Sequence, residues 1–371
     1  MVEHCVHGLV TIRLEDPPER IAAVIQRLLG PSTGTSSGSA DITVRFVDRL
    51  PSTAGLRWLN RREVAYDEQH FYLADAAGAR AQVDIAGIGE PIQIVCERDI
   101  ATLPLLRPIV SLRLLRLGHV FLHSAAFSYK GVCVLVVGWK KGGKTETLLP
   151  FMSAGASHIA DEWTILSPAG TVRGIAGDLQ IWNWHLRQNP EMWERVPHAQ
   201  RRRIRAMRAY QRAYTAAPFL HRRRTGVYGL LADLARDGSA PKLGQVGVPP
   251  ALLFEGRVHA GPAHVDRILF ASVGDGVTVS VNEVMPETVA ARMAASLVYE
   301  RNALVVAHEQ FRFAFPDRSN DWLLAARAEE TRLLEKAFAG RPTFELVHPY
   351  PVDLNEMFQA AEPHIRPATR S

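Results

Sequence analysis

The sequence predicts a mixed α/β fold, organised around a strand that runs into a phosphate-binding loop and preceded by a small β-rich lobe. Three observations predict it. Val132–Val137 is an unbroken apolar, mostly β-branched run, which suits a strand covered on both faces. It stops at Gly138, and Gly138-Trp139-Lys140-Lys141-Gly142-Gly143-Lys144-Thr145 follows, the pattern G-x-x-x-x-G-K-[ST]. Upstream, residues 1–100 carry several short β-patterned runs separated by turn residues; downstream, helical spacings alternate with further strands.

At 371 residues and 47% apolar content, the chain can bury a large core and divide into two parts. The division falls near residue 100, giving an N-terminal β-rich lobe (1–100) and a phosphate-loop domain (101–371). A net charge of +5 permits an acidic partner without demanding one. Cys5, Cys96 and Cys133 are far apart, with neither metal-ligand spacing nor a disulfide framework, and Cys133 reads as a small core residue. No apolar run approaches the roughly 20 residues that cross a membrane. The start, MVEHCVHG, lacks a basic stretch followed by an apolar one. The expectation is a cytoplasmic protein without a membrane partner.

In chain order, Leu9–Leu14 suits a strand and Pro18–Leu29 a helix. Gly30–Ala40 is a loop by composition, and Ile42–Val47, Val64–Asp67, Phe71–Leu73, Ala81–Ile85 and Ile92–Cys96 suit short strands. Leu103–Leu117 is apolar nearly all round and predicts a buried helix. Phe121–Tyr129 and Val132–Val137 predict two strands joined at Lys130-Gly131, a hairpin feeding the loop. Thr145–Met152 predicts a helix ended by Gly155, with Pro150 inside it as a reason for shortness or a kink. Ser157–Ile159, Thr164–Leu166 and Thr171–Ile181 predict strands, and His185–Tyr214 a polar helix. Val227–Leu234 and Leu252–Phe254 are apolar patches. Val265–Val273 and Gly276–Val281 predict a strand pair turning at Gly274-Asp275-Gly276. Pro286–Ala303 and Asp321–Gly340 predict helices, Phe344–His348 a last strand and Asp353–Ala361 a last helix.

The loop glycines, Gly138, Gly142 and Gly143, let backbone N–H groups curl around an anion, and the helix starting near Lys144 adds its positive end. Lys144 reaches outer phosphates as a point charge; Lys141 either adds to that charge or projects into solvent. The Thr145 hydroxyl suits magnesium, with Glu162 or Glu146 orienting the ion. Asp161 is the best proton acceptor for an attacking hydroxyl, and His123 a hydrogen-bond partner for phosphate or acceptor. The bland alternatives are a Gly-rich surface turn, a solvated acidic pair and a structural histidine.

Together these residues resemble HPr kinase/phosphorylase and its relatives. That family carries Leu-His, fourteen residues, a Walker loop ending G-K-S-E-T, and then A-D-D. Here Leu122-His123 is followed by fourteen residues and Gly138; the loop ends Gly143-Lys144-Thr145-Glu146-Thr147, and the acidic pair stands in Ala160-Asp161-Glu162. The likeness covers about 45 residues. It implies a compact P-loop kinase core of the type shared with phosphoenolpyruvate carboxykinases. It further implies ATP or GTP with Mg2+, and phosphoryl transfer to a hydroxyl of a peptide, a protein or a small molecule. By position, Asp161 would be the general base, Lys144 and the loop would hold phosphates, Thr145 and Glu162 would serve magnesium, and His123 would lie beside the transferring phosphate. It also implies a homo-oligomer. The chain departs from the family at Glu162, at Trp139-Lys140-Lys141 and in lacking a well-placed Arg-Gly signature, which shifts the expected acceptor from HPr to a peptide or small molecule.

Residues 201–224 hold nine arginines. Arg201, Arg205, Arg208 and Arg212 share a helical face, which reads either as a docking surface for an acidic peptide or as a solvated face. Nucleic acid is the weakest option, because no recognition motif accompanies the run. The alternative to an enzyme is a non-catalytic nucleotide-binding regulatory or scaffold module.

Overall fold

The computed structural model describes the chain except residues 36–37, 51–54, 60–63, 76, 217–244, 260 and 367–371. The apolar patch Val227–Leu234 and Arg222–Arg224 therefore lie outside the described residues. The fold is mixed α/β, as the sequence predicts.

The described residues of the first hundred form one sheet and one helix: β1 (Val2–Val6), β2 (Val10–Glu15), α1 (Glu19–Leu29), β3 (Ile42–Val47), β4 (Arg57–Trp58), β5 (Val64–Tyr66), β6 (His70–Ala74), β7 (Arg80–Asp84) and β8 (Ile92–Glu97). The eight strands lie in the order β1-β2-β3-β8-β7-β6-β5-β4. The α1 crossover makes β2 and β3 parallel, and its Ile21, Ile25 and Leu29 form the buried stripe that the four-residue spacing requires. β1 escapes a reading of periodicity because His4, a polar residue, occupies a buried place in it.

The helix α2 (Leu106–Arg116) follows. It starts after Leu105, which takes a left-handed conformation (φ 59°). Pro108 falls in its first turn, where a missing N–H breaks no helical bond. The segment expected as one strand, Phe121–Tyr129, is two: β9 (Val120–Leu122) and β10 (Ala125–Tyr129), in different sheets. β10 makes the expected hairpin with β11 (Val132–Gly138). α3 (Lys144–Ser153) keeps its helical course through the buried Pro150.

Next come β12 (Ser157–Ala160), β13 (Thr164–Leu166), β14 (Thr171–Gly174) and β15 (Leu179–Trp182). The expected helix over His185–Tyr214 is three, α4 (Asn183–Gln188), α5 (Pro190–Arg195) and α6 (His198–Ala216), because Pro190 and Pro197 cannot continue a helix from the preceding turn. β16 (Gln245–Val248), α7 (Pro250–Leu253), β17 (Ala263–His264), β18 (Arg267–Val273), β19 (Ser280–Glu283), α8 (Pro286–Glu300), α9 (Asn302–Ala314), α10 (Asp321–Phe338), β20 (Thr343–His348) and α11 (Leu354–Ile365) complete the chain. The strand pair expected over Val265–Val281 does not form. β20 inserts between its members, parallel to β18 and antiparallel to β19. The helix expected to end at Ala303 ends at Glu300, and α9 was not expected.

The central sheet runs β12-β10-β11-β18-β20-β19 and the neighbouring one β17-β14-β13-β9. β11 explains its own apolar run. Cys133, Leu135 and Val137 enter the core shared by the N-terminal sheet, α2, α8 and α10. Val134 and Val136 enter a second core with α3 and α11. The first hundred residues thus share buried contacts with helices from the rest of the chain. Among the described residues, no helix is long and apolar enough to cross a membrane.

The two sheets meet closely where Gly174 passes β12. A Cβ there would lie 2.1 Å from the carbonyl oxygen of Ile159, whereas one at Gly177 would meet nothing within 4 Å. Gly174→Ala is therefore expected to lower stability in urea unfolding by about 1–3 kcal/mol, with Gly177→Ala as a control within about 0.5 kcal/mol.

Candidate functional site

The loop after β11 is shaped by what surrounds it. A Cβ on Gly138 would sit 2.4 Å from the carbonyl oxygen of Ala271 on β18, and one on Gly143 would fall 1.9 Å from Nε2 of His348 on β20. Gly143 is also left-handed, at φ 97°. Lys141 takes a left-handed conformation without being glycine (φ 62°), with its side chain exposed beside that of Lys140. α3 has no side-chain cap, so the N–H groups of its first turn face the loop without a side-chain acceptor.

Lys144 is buried, and its Nζ donates to the carbonyl oxygens of Gly138 (3.2 Å) and Trp139 (3.0 Å). Burial lowers its pKa, against the pull of Asp161, Glu162, Glu300 and Glu146. The Thr145 hydroxyl donates to the Asp161 carboxylate, 3.1 and 3.0 Å from its two oxygens. Asp161 is buried, and that burial, with Glu162 beside it, pushes its pKa up to about 7 despite Thr145 and Lys144.

Strand pairing explains why His123 meets the acidic pair. β10 pairs with β12, and β9 pairs with β13. Two neighbouring segments therefore leave one sheet and enter the other side by side. The crossing points are His123-Ser124 on one and Asp161-Glu162-Trp163 on the other, tied by Ser124 N–H donating to the Glu162 carbonyl at 3.2 Å. At this corner Glu162 adopts φ 94°, an uncommon conformation for a non-glycine residue, and its carboxylate is half-exposed. His123 Nε2 lies 3.6 Å from that carboxylate.

On its other side His123 Nδ1 donates to Glu300 at 2.6 Å, and the imidazole stacks on Trp163 with centroids 5.0 Å apart. Glu300 ends α8, 177 residues away, and sequence reasoning missed it. An acidic residue at a helix end carries no local signal of a distant partner. Burial works to raise the Glu300 pKa, but the His123 hydrogen bond, with Lys140 and Lys144, outweighs it and holds the carboxyl below its ordinary value.

Glu146 turns elsewhere. Its carboxylate meets His185 Nε2 at 3.2 Å. His185 Nδ1 accepts the Trp182 N–H, so the Nε2 proton goes to Glu146 and ties α3 to α4. Burial favours the neutral acid, yet the His185 bond prevails and the pKa is lowered. The structure thus gathers His123, Lys144, Thr145, Asp161 and Glu162, adds Glu300, and engages Glu146 with His185.

Magnesium fits this donor set. Thr145 can donate its proton to Asp161 and still offer an oxygen lone pair, and Glu162 supplies an accessible carboxylate. Among the described residues no cluster of three His, Cys, Asp or Glu side chains is arranged to hold a metal. On α6, Arg201 pairs with Glu194, Arg208 donates to Asn183, and the guanidinium groups of Arg205 and Arg208 lie over Trp193. Arg202, Arg203 and Arg205 are exposed. Compared with known proteins, the sequence matches no family model and no curated sequence.

An Asp ionised near neutrality in the folded state but near pH 4 in the unfolded chain loses folding stability as the pH rises through both values. Asp161→Asn is therefore expected to raise the melting temperature above wild type at pH 8. The gap should close towards pH 5, where the folded wild type keeps its proton. Thermal unfolding at the two pH values checks this, and an equal gap at both would assign the effect to packing.

Proposed function

We propose that this chain is a kinase, transferring the terminal phosphoryl group of ATP or GTP to a hydroxyl of a peptide or small molecule. The observation that carries the reading is Asp161. It is a buried carboxylate with a pKa near 7, hydrogen-bonded to the threonine that ends a phosphate-binding loop. A module that only held nucleotide would need the loop and Lys144 but no carboxyl poised to change its protonation near neutrality.

The chain's own residues have these parts in the proposed reaction. First-turn N–H groups of α3 and the Lys144 ammonium bind phosphate oxygens, and Lys144 exchanges the Gly138 and Trp139 carbonyls for them. Asp161 takes the proton of the acceptor hydroxyl. The acceptor oxygen forms a bond to the terminal phosphorus, the bond from that phosphorus to the bridging oxygen breaks, and the nucleoside diphosphate leaves. Glu300 orients His123 towards the acceptor side. Magnesium bound at Thr145 and Glu162 would supply neutralising charge. Positioning and charge do most of the work in such a transfer.

Mass spectrometry with ATP, Mg2+ and a panel of hydroxyl peptides and small molecules tests the proposal. A gain of one phosphoryl group on an acceptor is expected, reduced at least about a hundredfold in Asp161→Asn with nucleotide affinity kept within a few-fold. Initial rates should fall as the pH drops, because only the Asp161 carboxylate accepts a proton. Tight nucleotide binding with no transfer to any acceptor would favour the non-catalytic module.

A further inference from the structure

One cation beside the corner makes no ion pair among the described residues. Arg107 stands in the first turn of α2, and its guanidinium lies over the Trp163 ring, 5.0 Å from the centroid. Its Nε–H is buried without a hydrogen-bond acceptor, and among the described residues no carboxylate reaches Arg107 as an ion pair. Glu162 and Glu300 act on it only at longer range, and burial outweighs them, lowering its pKa. A cation–π contact gives the Nε–H no acceptor, and an unmet buried donor is costly, more so when charged. The stack alone therefore leaves Arg107 under-compensated.

Arg107 lines a small cleft whose inner space is about 20 Å3. Ser111, one turn further along the same face of α2, lines it too and offers a hydroxyl. Phe121 and Trp163 supply flat apolar walls, and Glu300, which is bonded to His123, closes one side. The cleft thus adjoins the corner where the acceptor hydroxyl would lie. A guanidinium matches a planar carboxylate in shape and charge.

We infer that this cleft is a subsite for a carboxylate carried by the phosphoryl acceptor, with Arg107 as charge partner and Ser111 as a second donor. The role as an acceptor subsite rests on the kinase reading; the carboxylate site itself does not.

The test follows the Nε–H resonance of Arg107 by NMR on the whole protein, identified by its absence in Arg107→Lys. The probes are sodium acetate, N-acetylserine, N-acetylserinamide, inorganic phosphate and, for ionic strength, sodium chloride. Acetate and N-acetylserine should shift the resonance saturably, while the amide and chloride should not. In Arg107→Gln, N-acetylserine affinity, read on the Trp163 indole N–H, should fall about tenfold to a hundredfold. No saturable shift with acetate, or an equal one with chloride, overturns the inference, as does a response to phosphate alone, which would assign Arg107 to the nucleotide. A non-hydrolysable ATP analogue is titrated on the same samples. If it binds and acetate does not, only this inference fails. If acetate binds and the analogue does not, the kinase reading fails and the carboxylate site stands.

Discussion

Two paired segments that cross from one sheet to another must give up their ladder at the same place. β9–β10 and β12–β13 do so at His123-Ser124 and Asp161–Trp163, and most of what is distinctive here follows from that constraint. The crossing leaves these residues side by side and without regular strand partners. A single backbone bond, Ser124 N–H to the Glu162 carbonyl, bridges the gap. The φ of 94° at Glu162 is the conformational cost of the turn, on the order of 1–3 kcal/mol. The β10–β11 hairpin then delivers the Gly138–Thr145 loop to the same corner.

The electrostatics follow from that geometry. Asp161, Glu162, Glu300 and Glu146 all act on the one buried lysine. Three of these carboxylates are managed separately: Asp161 by the Thr145 hydroxyl, Glu300 by His123 and Glu146 by His185. Glu162, half-exposed, relies on water and on the edge of His123. Asp161 is the group that burial tips towards its neutral form, because a single hydroxyl compensates it less than an imidazole would. On the proposed reading, phosphates arriving without a metal ion would meet this acidic rim, so cation and nucleotide would enter together.

Much of this was legible in the sequence, and the exceptions have particular causes. The loop, β11, the hairpin, α3 and the strands β3 and β5–β8 announce themselves through local pattern, since glycine spacing and apolar runs are written in neighbouring residues. The break inside Phe121–Tyr129, at His123-Ser124, is hard to read because the residues on both sides of it are mostly apolar or small, and burial in either sheet asks for the same residue types. β1 hides behind a buried histidine, and α9 follows α8 with only Arg301 between them. Gly274-Asp275-Gly276 is a sound turn signal, but β20, contributed from much later in the chain, takes the place between the two strands. Of the site, the residues within the loop and the corner could be named, whereas Glu300 and Arg107 could not. Each becomes significant only through a partner brought close by folding.

The ribbon from Val120 to Leu166 is largely self-paired. Its strands pair chiefly with one another, and the loop and corner both belong to it. The ribbon holds its own register, while Ala271, His348 and Glu300 from outside it shape the loop and the corner.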